Sequence, residues 1–143
     1  MRLYVNFSSF AQDTALFSMQ DASSVSQCQL WFDQSTDQLI YSTDNGVTSA
    51  VIGSFAATYS IDTWYQCVIT HDQAVEDKLY FSAASNAAAI AHSFSQAGHF
   101  RRIGRSAGIY SYCRFDEIAF WTGRVLTPTN VSGLAGVYYS TFA

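Results

Sequence analysis

Charge is scarce in this chain: Asp, Glu, Lys and Arg make up only 13% of its 143 residues, about half the share of an average soluble domain. Its surface must therefore be built of Ser, Thr, Gln, Asn and Ala rather than of ion pairs. Such a surface suits packing against other protein copies or polar glycans, at some cost in solubility. With seven basic residues and a net charge of −4, the chain lacks the basic stripe that nucleic-acid phosphates demand. Arg101, Arg102 and Arg105 cluster, with Arg114 and Arg124 further along. Arginines on a hairpin serve first as a solvated edge that blocks sheet-to-sheet pairing, and second as a binding site.

Cysteine is also sparse. Cys28, Cys67 and Cys113 are odd in number, widely spaced and set in strand-like apolar runs, the pattern of buried free thiols. A Cys67–Cys113 disulfide is the alternative, and no Cys-x-x-Cys spacing suggests zinc. The chain has no run of the roughly 20 apolar residues that spans a bilayer. Its amino terminus, Met1 to Ser8, alternates instead of forming the apolar core of a signal peptide. Export would then follow another route, such as release inside an assembled virus particle, unless the domain has been excised from a larger secreted protein.

What is present is alternation. Leu3, Val5 and Phe7 alternate with polar residues, and strand-like runs follow at Ala15 to Met19, Cys28 to Phe32, Leu39 to Ser42 and Ala50 to Gly53. Further runs cover Trp64 to Thr70, Leu79 to Ser82, Ala89 to Phe94, Phe100 to Ile103 and Cys113 to Trp121. Asn45-Gly46, inside Thr43-Asp44-Asn45-Gly46, is a strong hairpin signal because both residues accept positive φ. About ten short strands at this spacing predict one domain, residues 1–143, built as a two-sheet antiparallel sandwich. One short helix is expected near Thr127 to Gly136, with Thr127 as cap and Pro128 in the first turn, where its missing N–H costs nothing. The run Ala87-Ala88-Ala89 reads as a loop entering a strand.

The segment Phe115-Asp116-Glu117-Ile118-Ala119-Phe120-Trp121-Thr122-Gly123-Arg124-Val125-Leu126-Thr127-Pro128 joins an apolar strand to a tight turn and a capped helix. It resembles the closing strand of the concanavalin A-like jelly rolls, in their laminin-G and pentraxin-like branch. Asp62 to Asp72, with Trp64 opening an alternating strand, is similar to an earlier element of that family. Lys78-Leu79-Tyr80-Phe81-Ser82 and Arg102-Ile103-Gly104 are similar to two more, so the likeness covers about residues 60 to 136. The resemblance implies an antiparallel jelly-roll sandwich. Ser82 and Ala83 replace the family's Asp/Asn-Gly, which moves that turn to Ala84-Ser85-Asn86. The family's opening strand is missing before Leu3 to Phe7, or is supplied by Val137 to Phe142. An uncovered sheet edge recruits other chains, so contact with protein copies or a capsid or tail protein is expected through Met1 to Phe10, Val137 to Phe142, or both.

The chemistry available is limited. Glycosidases on this fold need two carboxylates flanking one bond, but the chain has only Glu76 and Glu117. Asp116 and Glu117 are adjacent, so on a strand they point to opposite faces. Asp116 is expected to share a buried face with Ile118 and Phe120 and to bind backbone N–H groups. His71, His92 and His99 have no nucleophile motif beside them. No enzyme activity is expected. The family resemblance implies calcium at loop oxygens, for which Asp44, Asn45, Asp72 and Asp77 are the candidates, although solvated loop acids account for them as well. Eleven Phe, nine Tyr and three Trp exceed one small core. Tyr59, Tyr65, Tyr110, Tyr112, Tyr138 and Tyr139 are the candidate exposed rings for stacking on sugars or partners, while Trp64 and Trp121 are expected to close the sandwich. Two functions fit: a virion decoration or attachment protein with a lectin-like fold, located on the particle surface, and an extracellular glycan-binding or adhesion domain.

Overall fold

The computed structural model describes residues 1–20, 26–43, 48–71, 76–91, 100–106, 108–120, 127 and 129–131. The strands are β1 (Arg2–Phe7), β2 (Thr14–Gln20), β3 (Ser26–Asp33), β4 (Gln38–Thr43), β5 (Thr48–Gly53), β6 (Trp64–His71), β7 (Glu76–Phe81), β8 (Ala83–Ala91), β9 (Phe100–Ile103), β10 (Arg105–Ser106), β11 (Ile109–Tyr110) and β12 (Cys113–Ala119), with helix α1 (Phe55–Thr58) between β5 and β6. Two five-stranded sheets form, ordered β12-β1-β6-β7-β8 and β5-β4-β3-β2-β9, and β10 pairs with β11 as a separate ribbon. Every pairing is antiparallel. The molecule is thus an all-β sandwich, and along one side β5 of the second sheet runs beside β8 of the first.

Alternation puts Leu3, Val5 and Phe7 of β1 into the core against Leu16, Leu30, Phe32, Leu39, Cys67, Leu79 and Phe81. Phe55, on α1, fills its centre, with ring centroids 5.4 Å from Phe7, 5.5 Å from Phe32 and 4.9 Å from Phe81. These separations suit edge-to-face and tilted aromatic packing. The turn between β3 and β4 holds that helix: the carbonyl of Asp37 accepts the N–H of Phe55 at 3.0 Å, and its Oδ1 accepts the N–H of Ala56 at 2.6 Å. The single short helix expected near the carboxy terminus is therefore not the only one. The expected capped turn is also there in its described part, with Asn130 N–H donating to Thr127 Oγ1 and Thr127 N–H to Asn130 Oδ1. Residues 129–131 are helical, and Pro128 and the stretch 132–136 lie outside the described residues.

The opposite face of β1 is also buried: Arg2, Tyr4 and Asn6 are each at most 3% exposed. Beside them Val68 and Tyr80 pack against Val131 from the helical turn. Arg2 spends its charge on Glu117 of β12, 3.2 Å away, and lies over the Tyr4 ring. β1 is therefore a central strand, paired on both sides, which corrects the expectation that Met1 to Phe10 presents an open edge. The missing partner is supplied by β12 rather than by an added segment; Val137 to Phe142 lies outside the described residues.

Two local registers also differ from expectation. Ser82, at φ 68°, takes the β7–β8 turn, so Phe81 pairs with Ala83, and Ala84 to Asn86 become an irregularity within the ladder. Ala87 to Ala89 accordingly belong to a strand and not to a loop. In β12 the register shifts opposite Leu3, and Glu117 sits at φ 45°. Asp116 is exposed and accepts the N–H of Glu117. Ile118 and Phe120 are 41% and 46% exposed rather than buried, although Phe120 still meets Phe17 at 6.1 Å. Trp64, expected to close the sandwich, is 39% exposed, because it begins its strand at the sheet's end; Trp121 lies outside the described residues.

Removing one partner of a buried ion pair leaves the other charge uncompensated. Glu117→Ala should lower unfolding free energy by about 3 kcal/mol or more in a urea titration, and the double change Arg2→Met, Glu117→Met should recover most of that loss. A Glu117→Ala loss under about 1 kcal/mol would mean that the pair behaves as a solvated surface contact.

Candidate functional site

The segment from Gly104 to Tyr112 builds one wall of a surface cleft. Gly104, at φ 72°, lets the chain leave β9 while its N–H still reaches the carbonyl of Leu16 at 3.0 Å. A Cβ there would stand 3.1 Å from Ser111 Cβ and 3.2 Å from Phe115 Cε2, so glycine is needed both for the angle and for the room. Gly108 stands at φ 89°, and the ribbon pairs Arg105 with Tyr110. Arg105 lies 5.3 Å above the Tyr110 ring, a cation–π contact that steadies an exposed aromatic. Buried Ser18 anchors the base of the ribbon through its hydroxyl, which donates to the Arg105 carbonyl at 2.8 Å.

The opposite wall comes from the loop after β1 and the turn after β3. Asp33 Oδ1 accepts the Ser35 N–H at 2.9 Å, the Ser35 hydroxyl at 2.7 Å and the Thr36 N–H at 3.3 Å. These bonds, the Ser35 hydroxyl foremost, hold the Asp33 carboxyl below its ordinary range. Asp13 Oδ1 accepts the Gln34 N–H at 2.9 Å and so ties loop to turn. Ser8 N–H donates to the Tyr112 carbonyl at 2.9 Å, which joins the loop to the ribbon wall.

Between the walls lies a cleft of about 470 Å³, lined by Ala11, Gln12, Asp13, Gln34 and Ser35 on one side and by Gly108, Ile109, Tyr110 and Tyr112 on the other. Its size falls in the range of small-ligand sites, about 300–1,000 Å³. Tyr110 and Tyr112 are 57% and 43% exposed. Its lining combines two exposed aromatic rings with carboxylate, amide and hydroxyl groups, a set that can hold a ligand with an apolar face and a polar rim.

Of the residues singled out in the sequence, Tyr110 and Tyr112 meet in this cleft and Arg105 stands beside it. Tyr59 does not join them; it is 8% exposed and packs on Phe55 and Phe81. Tyr65 is half-buried against the same core, its hydroxyl accepting the Ser60 N–H at 2.8 Å. Arg102 is half-buried on β9, opposite Ser18. The side chain of Arg101 and residues Tyr138, Tyr139, Asp44, Asn45 and Asp72 lie outside the described residues.

Asp77, a calcium candidate expected in a loop, is instead a fully buried residue of β7. It accepts the Tyr41 hydroxyl at 2.8 Å and meets His71 Nδ1 at 2.6 Å. Since Tyr41 belongs to β4, this carboxylate bridges the two sheets. Burial, with Cys28 and Asp77 adding to it, pushes the Tyr41 hydroxyl well above its ordinary value. Among the described residues no three His, Cys, Asp or Glu side chains are placed to share a metal. Glu76 pairs with Lys78 and Glu117 with Arg2, and the two glutamates lie three strands apart, about 14 Å across the sheet. A glycosidase pair stands about 5 to 9.5 Å apart. Sequence reading missed Gln12, Asp13, Gln34 and Ser35, which stand out only as turn residues.

No protein-family model matches the chain, and no curated protein matches it significantly.

The three cysteines are free thiols. Burial pushes Cys67 from an ordinary 9.0 up to about 12, and Cys113 from 9.0 to about 11. Above pH 9 the unfolded chain releases thiol protons that the folded chain retains, so stability present below pH 9 is lost as pH rises toward 12. The loss should reach about 2–3 kcal/mol at pH 11 from Cys67 alone, and Cys67→Ala should flatten the decline between urea titrations at pH 8 and pH 11. A slope that Cys67→Ala leaves unaltered would show that this thiol ionises equally in both states.

Proposed function

We propose that this protein is a non-catalytic surface-binding module, a virion decoration or attachment protein with a lectin-like jelly roll of the concanavalin A type, whose cleft takes a glycan. The observation that carries the binding part is the pair of exposed rings, Tyr110 and Tyr112, lining one cleft with the polar Gln12, Asp13, Gln34 and Ser35. Sugar rings present apolar C–H faces to aromatics and hydroxyls to polar side chains, and the lining holds both kinds of partner. The distant, separately paired glutamates support binding without hydrolysis. The virion part draws on the low charge. A protein contact would be favoured at β12, outermost in its sheet among the described residues, which carries the exposed Ile118 and runs into the exposed Phe120. Exposed apolar groups of this kind mark interaction surfaces.

A glycan array followed by calorimetry tests the binding claim. The Tyr110→Ala, Tyr112→Ala double variant should lose about tenfold in affinity for the best glycan, since each stacked ring contributes roughly 0.5–1.5 kcal/mol, while its urea midpoint stays near that of the parent. Full affinity in the double variant would place the glycan elsewhere.

A further inference from the structure

We infer that the cleft selects neutral, hydroxyl-rich glycans and that Asp13 is their polar anchor; this rests on the glycan-binding reading above. Among the described residues, Asp13 is the one acid or base lining the cleft apart from the two tyrosines. It is exposed, yet its carboxylate is oriented, because Oδ1 is tied to the Gln34 N–H at 2.9 Å. The turn that carries Gln34 is itself fixed by the three bonds to Asp33 Oδ1. An oriented carboxylate accepts charge-assisted bonds from sugar hydroxyls, the stronger kind of hydrogen bond. The Asp33 carboxylate behind the same turn adds to the negative field. Arg105, beside the cleft, is engaged on the Tyr110 ring and is not among the lining residues. A uronic acid or sulfate group would thus meet like charge, with no base among the described lining residues to receive it, whereas a neutral hexose meets an acceptor.

Asp13→Asn tests this cleanly, because the amide oxygen can still accept the Gln34 N–H while the charge is gone. Calorimetry would compare maltohexaose, cellohexaose and a galactan hexamer with oligogalacturonate and a heparin hexasaccharide, for the parent, Asp13→Asn and Tyr110→Ala. The expected result is binding to a neutral oligomer only, weakened about tenfold or more by Asp13→Asn and also weakened by Tyr110→Ala. Binding of an acidic oligomer, or neutral binding that Asp13→Asn leaves unchanged, would overturn the inference while leaving the cleft as a glycan site. Binding to none of the oligomers, or binding indifferent to Tyr110→Ala, would remove the glycan reading and this inference with it.

Discussion

The fold depends on burying both faces of one strand. β1 gives Leu3, Val5 and Phe7 to the sandwich core, and its other face, Arg2, Tyr4 and Asn6, is as deeply covered. A strand so placed must satisfy its polar side chains within the protein, since water cannot reach them. Glu117 accepts from Arg2 Nη2 at 3.2 Å, and Arg114 donates to Asn6 at 2.9 Å. Both partners lie on β12, so the closing strand is pinned by chemistry as well as by its backbone ladder. The positive φ at Glu117 fits this arrangement, for the bulge sets the carboxylate against Arg2.

The two sheets are joined by two different kinds of contact. Phe7, Phe32, Phe55 and Phe81 interlock in the middle, and such packing is strong but tolerant of sliding. The Tyr41–Asp77–His71 bridge is directional. A buried carboxylate has one arrangement that satisfies it, so it fixes how the sheets align. On this rigid frame the cleft is built from connections only: the ribbon after β9, the loop after β1 and the turn after β3. Binding residues carried on loops over a fixed scaffold are a common division of labour, and here three side-chain bonds at Asp33 and one at Asp13 stiffen those loops.

Much of the sandwich could be read from period-two alternation, because a half-buried strand imposes that pattern directly. The strand that misled was β1. Alternation at Leu3, Val5 and Phe7 reports one apolar face and says nothing of whether the polar face is dry, which depends on Glu117 and Arg114 more than a hundred residues away. Phe120 and Ile118 misled for a related reason: alternation shows that Asp116, Ile118 and Phe120 share one phase, and all three are exposed, but it does not say which phase is buried. α1 escaped because four residues are too few to show helical periodicity. At the cleft, Tyr110 and Tyr112 were legible as surplus aromatics. Asp13 and Gln34 were not, since their meeting is a contact between distant turns.

A sandwich organised around a doubly buried β1 makes a direct prediction for amide hydrogen exchange in the isolated protein. Peptides spanning β1 should exchange only through global unfolding, with protection matching the unfolding free energy, while β5 at a sheet edge exchanges earlier. Exchange of β1 as fast as that of β5 would contradict the account, because a strand that opens locally cannot be the one on which β12, the core and the cleft walls depend.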